Sequence, residues 1–165
     1  MPSPQKYWSF VEIAENAVKN RFIGNESDAI SELDQILSCS VNDQMIADVP
    51  LGAFLSGGVD SSTVVALMQK NSPTPIKTFS IGFNESGYDE AIYAKKVANY
   101  LGTDHTELYV TPEQAMNVIS RIPKLYDEPF SDSSQIPTFL VAEMTCKNVK
   151  VALSGDGGDE LFSGY

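Results

Sequence analysis

A run of glycine, serine and aspartate at positions 56–62 is the part of this 165-residue sequence best suited to bind an anion. It reads Ser-Gly-Gly-Val-Asp-Ser-Ser and follows the apolar run Leu51–Leu55, so we expect a strand, a tight turn and the start of a helix. Gly57 and Gly58 allow backbone N–H groups to approach a ligand, and the first turn of a helix offers unpaired N–H groups. The pattern is therefore typical of a phosphate-binding turn, in which the serines add hydroxyl donors.

The aspartate within this turn indicates a divalent cation. Asp60 would repel phosphate unless a cation lay between them, and Mg²⁺ prefers carboxylate and phosphate oxygens. Two familiar phosphate loops do not fit, because Gly58-Val59 stands where a Walker A motif requires Lys-Ser/Thr and no G-x-G-x-x-G fingerprint occurs. The alternative is an ordinary glycine turn between a strand and a helix.

A second stretch of glycine and acid, Ser154 to Glu160, reads Ser-Gly-Asp-Gly-Gly-Asp-Glu. If its strand neighbours the first, Asp60 and Asp159 can share a magnesium ion, since two carboxylates that close together would otherwise repel each other. The alternatives are a calcium loop and a solvated acidic turn. The aspartates stand three residues apart, which does not match the spacing of an EF-hand.

The elements that must position these motifs alternate between strand and helix along the chain. We predict a lead-in segment over residues 7–22 with a single helical turn and then a helix capped by Asn25. The expected strands are 51–55, 76–83, 106–110 and 149–153, and the expected helices are 60–70, 89–101, 112–121 and 136–147. This alternation favours an α/β fold, a parallel sheet with helices on both faces, in which ligands bind beyond the carboxyl ends of the strands.

Composition excludes several classes of function. With 42% hydrophobic and 20% charged residues the chain is globular, and it has neither an apolar stretch of about 20 residues nor the apolar core of a signal peptide, so we expect a cytoplasmic protein. The net charge of −11 disfavours nucleic-acid binding. Cys39 and Cys146 stand too far apart for a zinc or redox motif and are expected to be buried thiols. His105 is expected to be a surface or strand-edge residue.

Residues 56–62 resemble the pyrophosphate loop, or PP-loop, of the ATP pyrophosphatase superfamily. The flanking stretches 48–52 and 79–83 and the closing stretch 154–165 resemble the asparagine synthetases that hydrolyse glutamine. This resemblance covers most of the chain from Asp48 onward. It implies the adenine nucleotide alpha hydrolase-like fold of the PP-loop enzymes, with ATP and Mg²⁺ as cofactors.

The resemblance also assigns residues to the site. The nucleotide-binding residues that it implies are Phe54, Ser56, Gly57, Gly58, Asp60, Ser61, Ser62, Ile81, Ser154 and Gly155. Asp60 and Asp159 bind magnesium, and Phe54, Ile81, Ser154 and Gly155 lie along the nucleoside. Asp156 stands where some asparagine synthetases carry Glu, and an acid there could move protons or order the nucleophile, so we take it as the candidate catalytic residue.

The implied enzyme is an ATP-dependent ligase. It adenylates a carboxylate, which we expect to be aspartate, releases pyrophosphate, and lets ammonia give the amide and AMP. In the family, ammonia comes from a glutaminase domain with an N-terminal cysteine, whereas this chain begins Met1-Pro2-Ser3. We therefore expect residues 1–47 to be a lead-in and helix of the synthetase domain, and 48–165 a PP-loop domain truncated on its C-terminal side. Such a fragment should be inactive alone.

Two other functions remain open. The loop Asp127–Gln135 departs from the Thr- and Arg-bearing stretch of the best-known asparagine synthetases, so a related amidotransferase could act on another carboxylate. A non-catalytic ATP-binding module of the same fold is the second. A tRNA-thiolating or NAD-forming ligase is disfavoured, because the sequence has no thiol pair, no basic RNA face and a different second motif. Neither nucleic acid nor a membrane is an expected partner.

Overall fold

The computed structural model describes residues 3–83, 90–129, 131–162 and 164. The chain divides into two compact units, residues 1–36 and 37–165. Helix α1 (Phe10–Lys19) belongs to the first unit, and helix α2 (Glu26–Gln44) begins in the first and ends in the second.

Helix α1 is longer than the single turn that we predicted for the lead-in segment. Ser9 explains its start, because the Ser9 hydroxyl accepts a hydrogen bond from the backbone N–H of Glu12 at 3.5 Å. The predicted cap of α2 is confirmed. The Asp28 N–H donates to Asn25 Oδ1 at 2.9 Å, and the Asn25 N–H donates back to Asp28 Oδ2 at 3.3 Å.

The second unit is built on a four-stranded sheet, and its strands pair in the order β3-β2-β1-β4. The strands are β1 (Leu51–Phe54), β2 (Lys77–Phe83), β3 (Asp104–Val110) and β4 (Val151–Leu153). All three pairings are parallel, as the alternation of strands and helices predicted. Both glycine-rich motifs follow neighbouring strands, β1 and the edge strand β4, so they leave the sheet side by side.

The remaining helices of the described chain connect these strands. They are α3 (Val59–Lys70), α4 (Ala91–Leu101), α5 (Pro112–Ile119), α6 (Ile122–Leu125), α7 (Gln135–Thr145) and α8 (Gly158–Phe162). The capping box of α5 forms as expected between Thr111 and Gln114. The sequence did not indicate α6 or α8, because segments of four and five residues are too short to show a helical period.

Each face of the sheet carries its own hydrophobic core, which confirms the prediction of helices on both faces. On one face, side chains of β1 pack against the C-terminal part of α2 and against α3 and α4, in a cluster formed by Val41, Ala53, Leu55, Val65, Leu67, Met68, Ile76, Ala94 and Ala98. On the other, the buried cluster comprises Phe79, Val141, Met144 and Val149. Successive residues of a strand point to opposite faces, so β2 contributes to both sides.

The two cysteines and the possibility of a membrane span were also addressed by the sequence. Cys39 and Cys146 are both free and exposed, so the expected burial of these thiols was wrong. Cys39 lies within α2 and Cys146 directly follows the helix that ends at Thr145, and the spacing of the two cysteines along the sequence did not reveal their exposure. No helix among the described residues is long and apolar enough to cross a membrane.

Candidate functional site

An open cleft of about 1070 Å³ lies beyond the carboxyl ends of β1, β2 and β4. Parallel α/β sheets bind their ligands at this edge, where the chain leaves each strand for a helix. Of the candidate residues, the cleft brings together Phe54, Ser56, Gly58, Asp60, Ser61, Ile81, Ser154, Gly155, Asp156 and Asp159. Gly57 and Ser62 are not among the residues that line it.

Gly57 and Ser62 face away from the cleft for different reasons. Gly57 has a φ of +84°, and a Cβ at this position would lie 2.7 Å from the backbone nitrogen of Ala94 in α4. Gly57 therefore packs against α4, on the side of the turn that is away from the cleft. Ser62 lines a separate apolar groove between α3 and α4, and its buried hydroxyl has no hydrogen-bond partner in the described chain.

Hydrogen bonds within the phosphate loop hold its shape in the absence of ligand. The Ser61 hydroxyl accepts from the Ser56 N–H at 3.2 Å and lies 2.9 Å from the Ser56 hydroxyl. The Ser56 hydroxyl in turn accepts from the Gly58 N–H at 3.2 Å. Ser61 is 8% exposed, so its two bonds to Ser56 are partly shielded from water, whereas the bond between Gly58 and Ser56 is exposed. Together these bonds fix the first turn of α3 beside the cleft.

The second motif packs directly against the first. A Cβ on Gly155 would lie 2.7 Å from the backbone nitrogen of Ser61, and one on Gly158 would lie 2.6 Å from Asp60 Oδ2. Only glycine allows so close an approach of the two backbones. The loop that carries Asp159 is thereby held beside the Asp60 carboxylate, as the interpretation of the two motifs as one site requires.

Negative charge dominates the lining of the cleft. The acidic side chains among its described lining residues are Asp60, Glu90, Asp156, Asp159 and Glu160, and none of these lining residues is a lysine, arginine or histidine. A polyphosphate would be repelled from such a surface unless cations accompanied it. An anionic ligand would therefore need a cation in order to bind here.

Asp60 and Asp159 have the chemistry to bind Mg²⁺. Carboxylate oxygens are its preferred protein ligands, and Mg²⁺ commonly takes one or two of them together with phosphates and water. The described residues contain no group of three or more His, Cys, Asp or Glu side chains that could hold a metal without other ligands. A metal ion held by these two carboxylates would therefore need further ligands, such as phosphate oxygens or water.

Asp156 belongs to a tight polar turn at the edge of the cleft. The Ser154 hydroxyl donates to Asp156 Oδ2 at 3.0 Å, and the Asp156 N–H donates to the Ser154 hydroxyl at 3.4 Å. Asp156 is exposed, so its carboxylate is open to a reacting group in the cleft. Ser154 fixes its orientation, a role that the sequence did not indicate.

Several lining residues were missed by the sequence analysis. They are Ser80 and Glu90, on and after β2, and Ser134, Pro137 and Thr138 at the start of α7. Ser80 directly precedes the candidate Ile81, but an isolated serine in an apolar strand gave no signal of its own. Within the 127–135 loop the structure describes every residue except Phe130, and Ser134 reaches the cleft.

His105 does not lie at the surface but half-buried within edge strand β3. Its Nδ1 lies 2.9 Å from the Thr78 hydroxyl and its Nε2 3.2 Å from the Ser80 hydroxyl. Burial lowers the pKa of His105, the neighbouring Glu107 carboxylate opposes that shift, and the Lys95 ammonium of α4 adds to it. The fully buried side chains of α4 are small, namely Ala91, Ala94 and Ala98, which lets the helix lie close to the sheet.

The buried imidazole makes stability depend on pH. Because the pKa of His105 is lower in the folded chain than its ordinary value of 6.5, the unfolded chain binds more protons in mildly acidic solution. The contribution of neutral His105 is present above pH 6.5 and is lost as the pH falls towards the folded pKa. In urea titrations between about pH 8 and pH 5, His105→Gln should show a smaller loss of unfolding free energy than the wild type. Parallel curves for the two proteins would contradict the assignment.

Comparison with known proteins relates this site to a family. Residues 32–165 match the family described as asparagine synthase. A putative glutamine-hydrolysing asparagine synthetase 2 of Methanocaldococcus jannaschii is 48% identical over 137 residues, which make up 82% of this chain and 26% of that protein. The glutamine-hydrolysing asparagine synthetase 1 of Bacillus subtilis is 42% identical over 140 residues, 85% of this chain and 22% of that protein. The chain thus spans about a quarter of the length of these curated relatives.

Two solved structures share the fold at low sequence identity. An NMN synthetase from Francisella tularensis superposes with a TM-score of 0.58 at 16% identity, covering 82% of this chain and 58% of that one. An NH3-dependent NAD synthetase from Campylobacter jejuni gives a TM-score of 0.54 at 12% identity, covering 82% and 60%. These similarities agree with the predicted PP-loop fold.

Proposed function

The chain belongs to the asparagine synthase family, and on that premise we propose that it carries the ATP site of a ligase that adenylates aspartate and converts it to the amide. The observation that carries the proposal is the contact between the two motifs. Gly155 and Gly158 lie against Ser61 and Asp60, which joins a phosphate loop and a pair of carboxylates in one cleft.

The phosphate end of ATP binds at the start of α3 in this proposal. The first turn of α3 leaves backbone N–H groups without helical partners, and the positive end of the helix dipole favours an anion at the same point. Gly58 lines the cleft without a side chain, so a phosphate oxygen can reach the backbone. The hydrogen bonds between Ser56 and Ser61 keep this geometry formed before ATP arrives.

Asp60 and Asp159 hold the magnesium ion in this proposal. The ion supplies the positive charge that lets phosphate approach the acidic cleft and that stabilises the departing pyrophosphate. Phe54, Ile81, Ser154 and Gly155 line the remainder of the cleft, where the nucleoside binds.

The reaction follows from this placement of ATP. An aspartate carboxylate oxygen attacks the α-phosphorus, and the bond to the bridging oxygen breaks to release pyrophosphate. Ammonia then attacks the carbonyl carbon of the acyl adenylate, AMP departs, and the Asp156 carboxylate accepts a proton from the attacking nitrogen. Asp156 is exposed at the cleft and oriented by Ser154, which suits a proton acceptor.

One requirement of the reaction is not met by the described lining residues. Charge develops on the α-phosphate in the transition state, and a cationic group there normally stabilises it. No lysine or arginine lines the cleft among the described residues. We propose that a cationic group outside the described lining completes the adenylation site, and that the described residues alone form no amide.

A chimera tests the adenylation step. We would replace the matching segment of the Bacillus subtilis relative by residues 32–165 of this chain and follow exchange of labelled pyrophosphate into ATP. Aspartate should support exchange, whereas glutamate and succinate serve as controls for the acceptor. The unmodified relative controls for the assay. The proposal would be contradicted if a folded chimera showed no exchange with aspartate, glutamate or succinate.

The acidic cleft also favours a second candidate, a module that binds ATP without catalysis. The absence of a cationic side chain among the described lining residues is the observation that supports it. The same chimera separates the two functions. Binding of Mg²⁺–ATP without exchange would support the module, and carboxylate-dependent exchange would exclude it.

A further inference from the structure

A chain of hydroxyl and imidazole groups runs beneath α4 and ends at the cleft. The Thr103 hydroxyl lies 2.9 Å from the Thr78 hydroxyl, which lies 2.9 Å from His105 Nδ1. His105 Nε2 lies 3.2 Å from the hydroxyl of Ser80, a residue that lines the cleft. Both ring nitrogens are therefore committed to hydroxyl partners, and one of these partners belongs to the wall of the proposed ATP site.

This series of hydrogen-bonded groups is largely shielded from solvent. Thr78 is 0% and Ser80 3% exposed, while Thr103 and His105 are half-buried, so water competes only weakly for these bonds. Buried hydrogen bonds in series strengthen one another and fix the positions of the groups that they join. Ser80 is thus held in place from the side that faces away from the cleft.

The protonation of the imidazole decides which groups in this series of hydrogen bonds donate and which accept. Neutral His105 donates through one ring nitrogen and accepts through the other. If Nδ1 accepts from Thr78, then Nε2–H donates to the Ser80 oxygen, and the Ser80 O–H remains available for a ligand. Such a donor would be valuable for binding an anion, because none of the described lining residues is a lysine or an arginine.

The position of Ser80 on β2 identifies the part of the ligand that it meets. Ile81 packs with Phe79 on the α7 face of the sheet, so Ser80 faces the opposite side, under α4. The loop that follows β1 reaches the same side of the sheet, where Gly57 abuts the α4 backbone, and Ser80 lines the cleft together with Ser56 and Gly58 of that loop. We propose that Ser80 donates a hydrogen bond to a phosphate oxygen of the bound nucleotide and that His105 is its positioning residue.

This inference rests on the proposed function, because it needs a nucleotide in the cleft. The test is calorimetric titration of the chain with Mg²⁺–pyrophosphate, Mg²⁺–ATP and adenosine. Ser80→Ala should weaken binding of pyrophosphate and of ATP about tenfold, which is the effect of losing one hydrogen bond to a charged acceptor. Adenosine should bind the variant and the wild type equally.

Two variants of His105 separate positioning from general stability. The amide nitrogen of His105→Gln reaches the place of Nε2 and can still donate to Ser80, whereas the shorter side chain of His105→Asn reaches only the place of Nδ1. His105→Gln should therefore keep wild-type affinity for Mg²⁺–pyrophosphate, and His105→Asn should lose about as much as Ser80→Ala. Combining His105→Asn with Ser80→Ala should cause no further loss, because both remove the same contact.

Each outcome decides the inference. If Ser80→Ala binds pyrophosphate as the wild type does, or loses adenosine affinity equally, the phosphate contact is refuted and the proposed function stands. If both His105 variants lose affinity for Mg²⁺–pyrophosphate in proportion to the decrease in their melting temperatures, His105 is structural and the positioning role is refuted. If the folded wild-type chain binds neither ATP nor pyrophosphate with Mg²⁺, the inference and the proposed function fail together.

Discussion

Replacing Asp60 by Asn is expected to weaken ATP binding in the presence of Mg²⁺ and to strengthen it in the absence of Mg²⁺. With Mg²⁺, the variant should bind ATP at least about a hundredfold more weakly than the wild type, since loss of a group that merely supports a metal ligand already lowers metal affinity about 10–100-fold. Without Mg²⁺ it should bind ATP roughly fivefold more tightly, because the substitution removes a negative charge from an acidic cleft. Calorimetric titrations with Mg²⁺ and with EDTA measure both effects.

The structure offers a matched control for this experiment. Glu90 lines the same cleft and is exposed, but it lies after β2 and away from the contact between the two motifs. Glu90→Gln removes the same charge, so it should aid ATP binding in EDTA as Asp60→Asn does while leaving the dependence on Mg²⁺ intact. Asp159→Asn should behave as Asp60→Asn does. A variant at Asp60 that keeps the full dependence on Mg²⁺ would show that the metal is not held there.

The order of elements was predictable because local signals agreed with one another. Asn25 and Thr111 each cap a helix, as their position before a periodic segment indicated. Gly102 ends α4 with a φ of +72°, a conformation that favours glycine. The apolar strands alternate with helices, and this alternation alone predicted a parallel sheet. These features depend on neighbours within a few residues, which a sequence displays directly.

The candidate site was predictable only in part, because its geometry depends on contacts between distant segments. Residue types identified the loop, but they did not show that Gly57 packs against α4, away from the cleft, or that Ser62 faces a different groove. His105 stands beside the start of a strand with no nucleophile motif near it, which favoured a surface or strand-edge position; it lies near the start of edge strand β3. It is half-buried because Ala94 and its neighbours let α4 lie close to the sheet. Such burial arises from packing between elements that are separate in the sequence.

The two loop glycines should respond differently to alanine, and this difference tests the phosphate loop itself. Gly57 has a φ of +84°, which costs an L-residue about 1–2 kcal/mol, and its Cβ would overlap the backbone of α4 at Ala94. Gly57→Ala should therefore lower the free energy of unfolding by at least that amount. Gly58 has a φ of −70° and a ψ of 165°, which alanine adopts readily, and its Cβ would meet only the Ser56 hydroxyl at 3.3 Å. Gly58→Ala should change stability by about 1 kcal/mol or less.

Gly58→Ala should nevertheless weaken nucleotide binding strongly. Gly58 lines the cleft, and its added methyl group would occupy space that a phosphate oxygen needs, at a cost of about 1–3 kcal/mol or roughly tenfold and more in affinity. Thermal melts with and without Mg²⁺–ATP measure this, because ligand at 100 times its Kd stabilises the folded chain by about 2.7 kcal/mol. The wild type should show that shift and Gly58→Ala only a small part of it. If Gly58→Ala melts with the full wild-type shift, the loop does not bind phosphate through its backbone, and residues 56–62 are a structural turn.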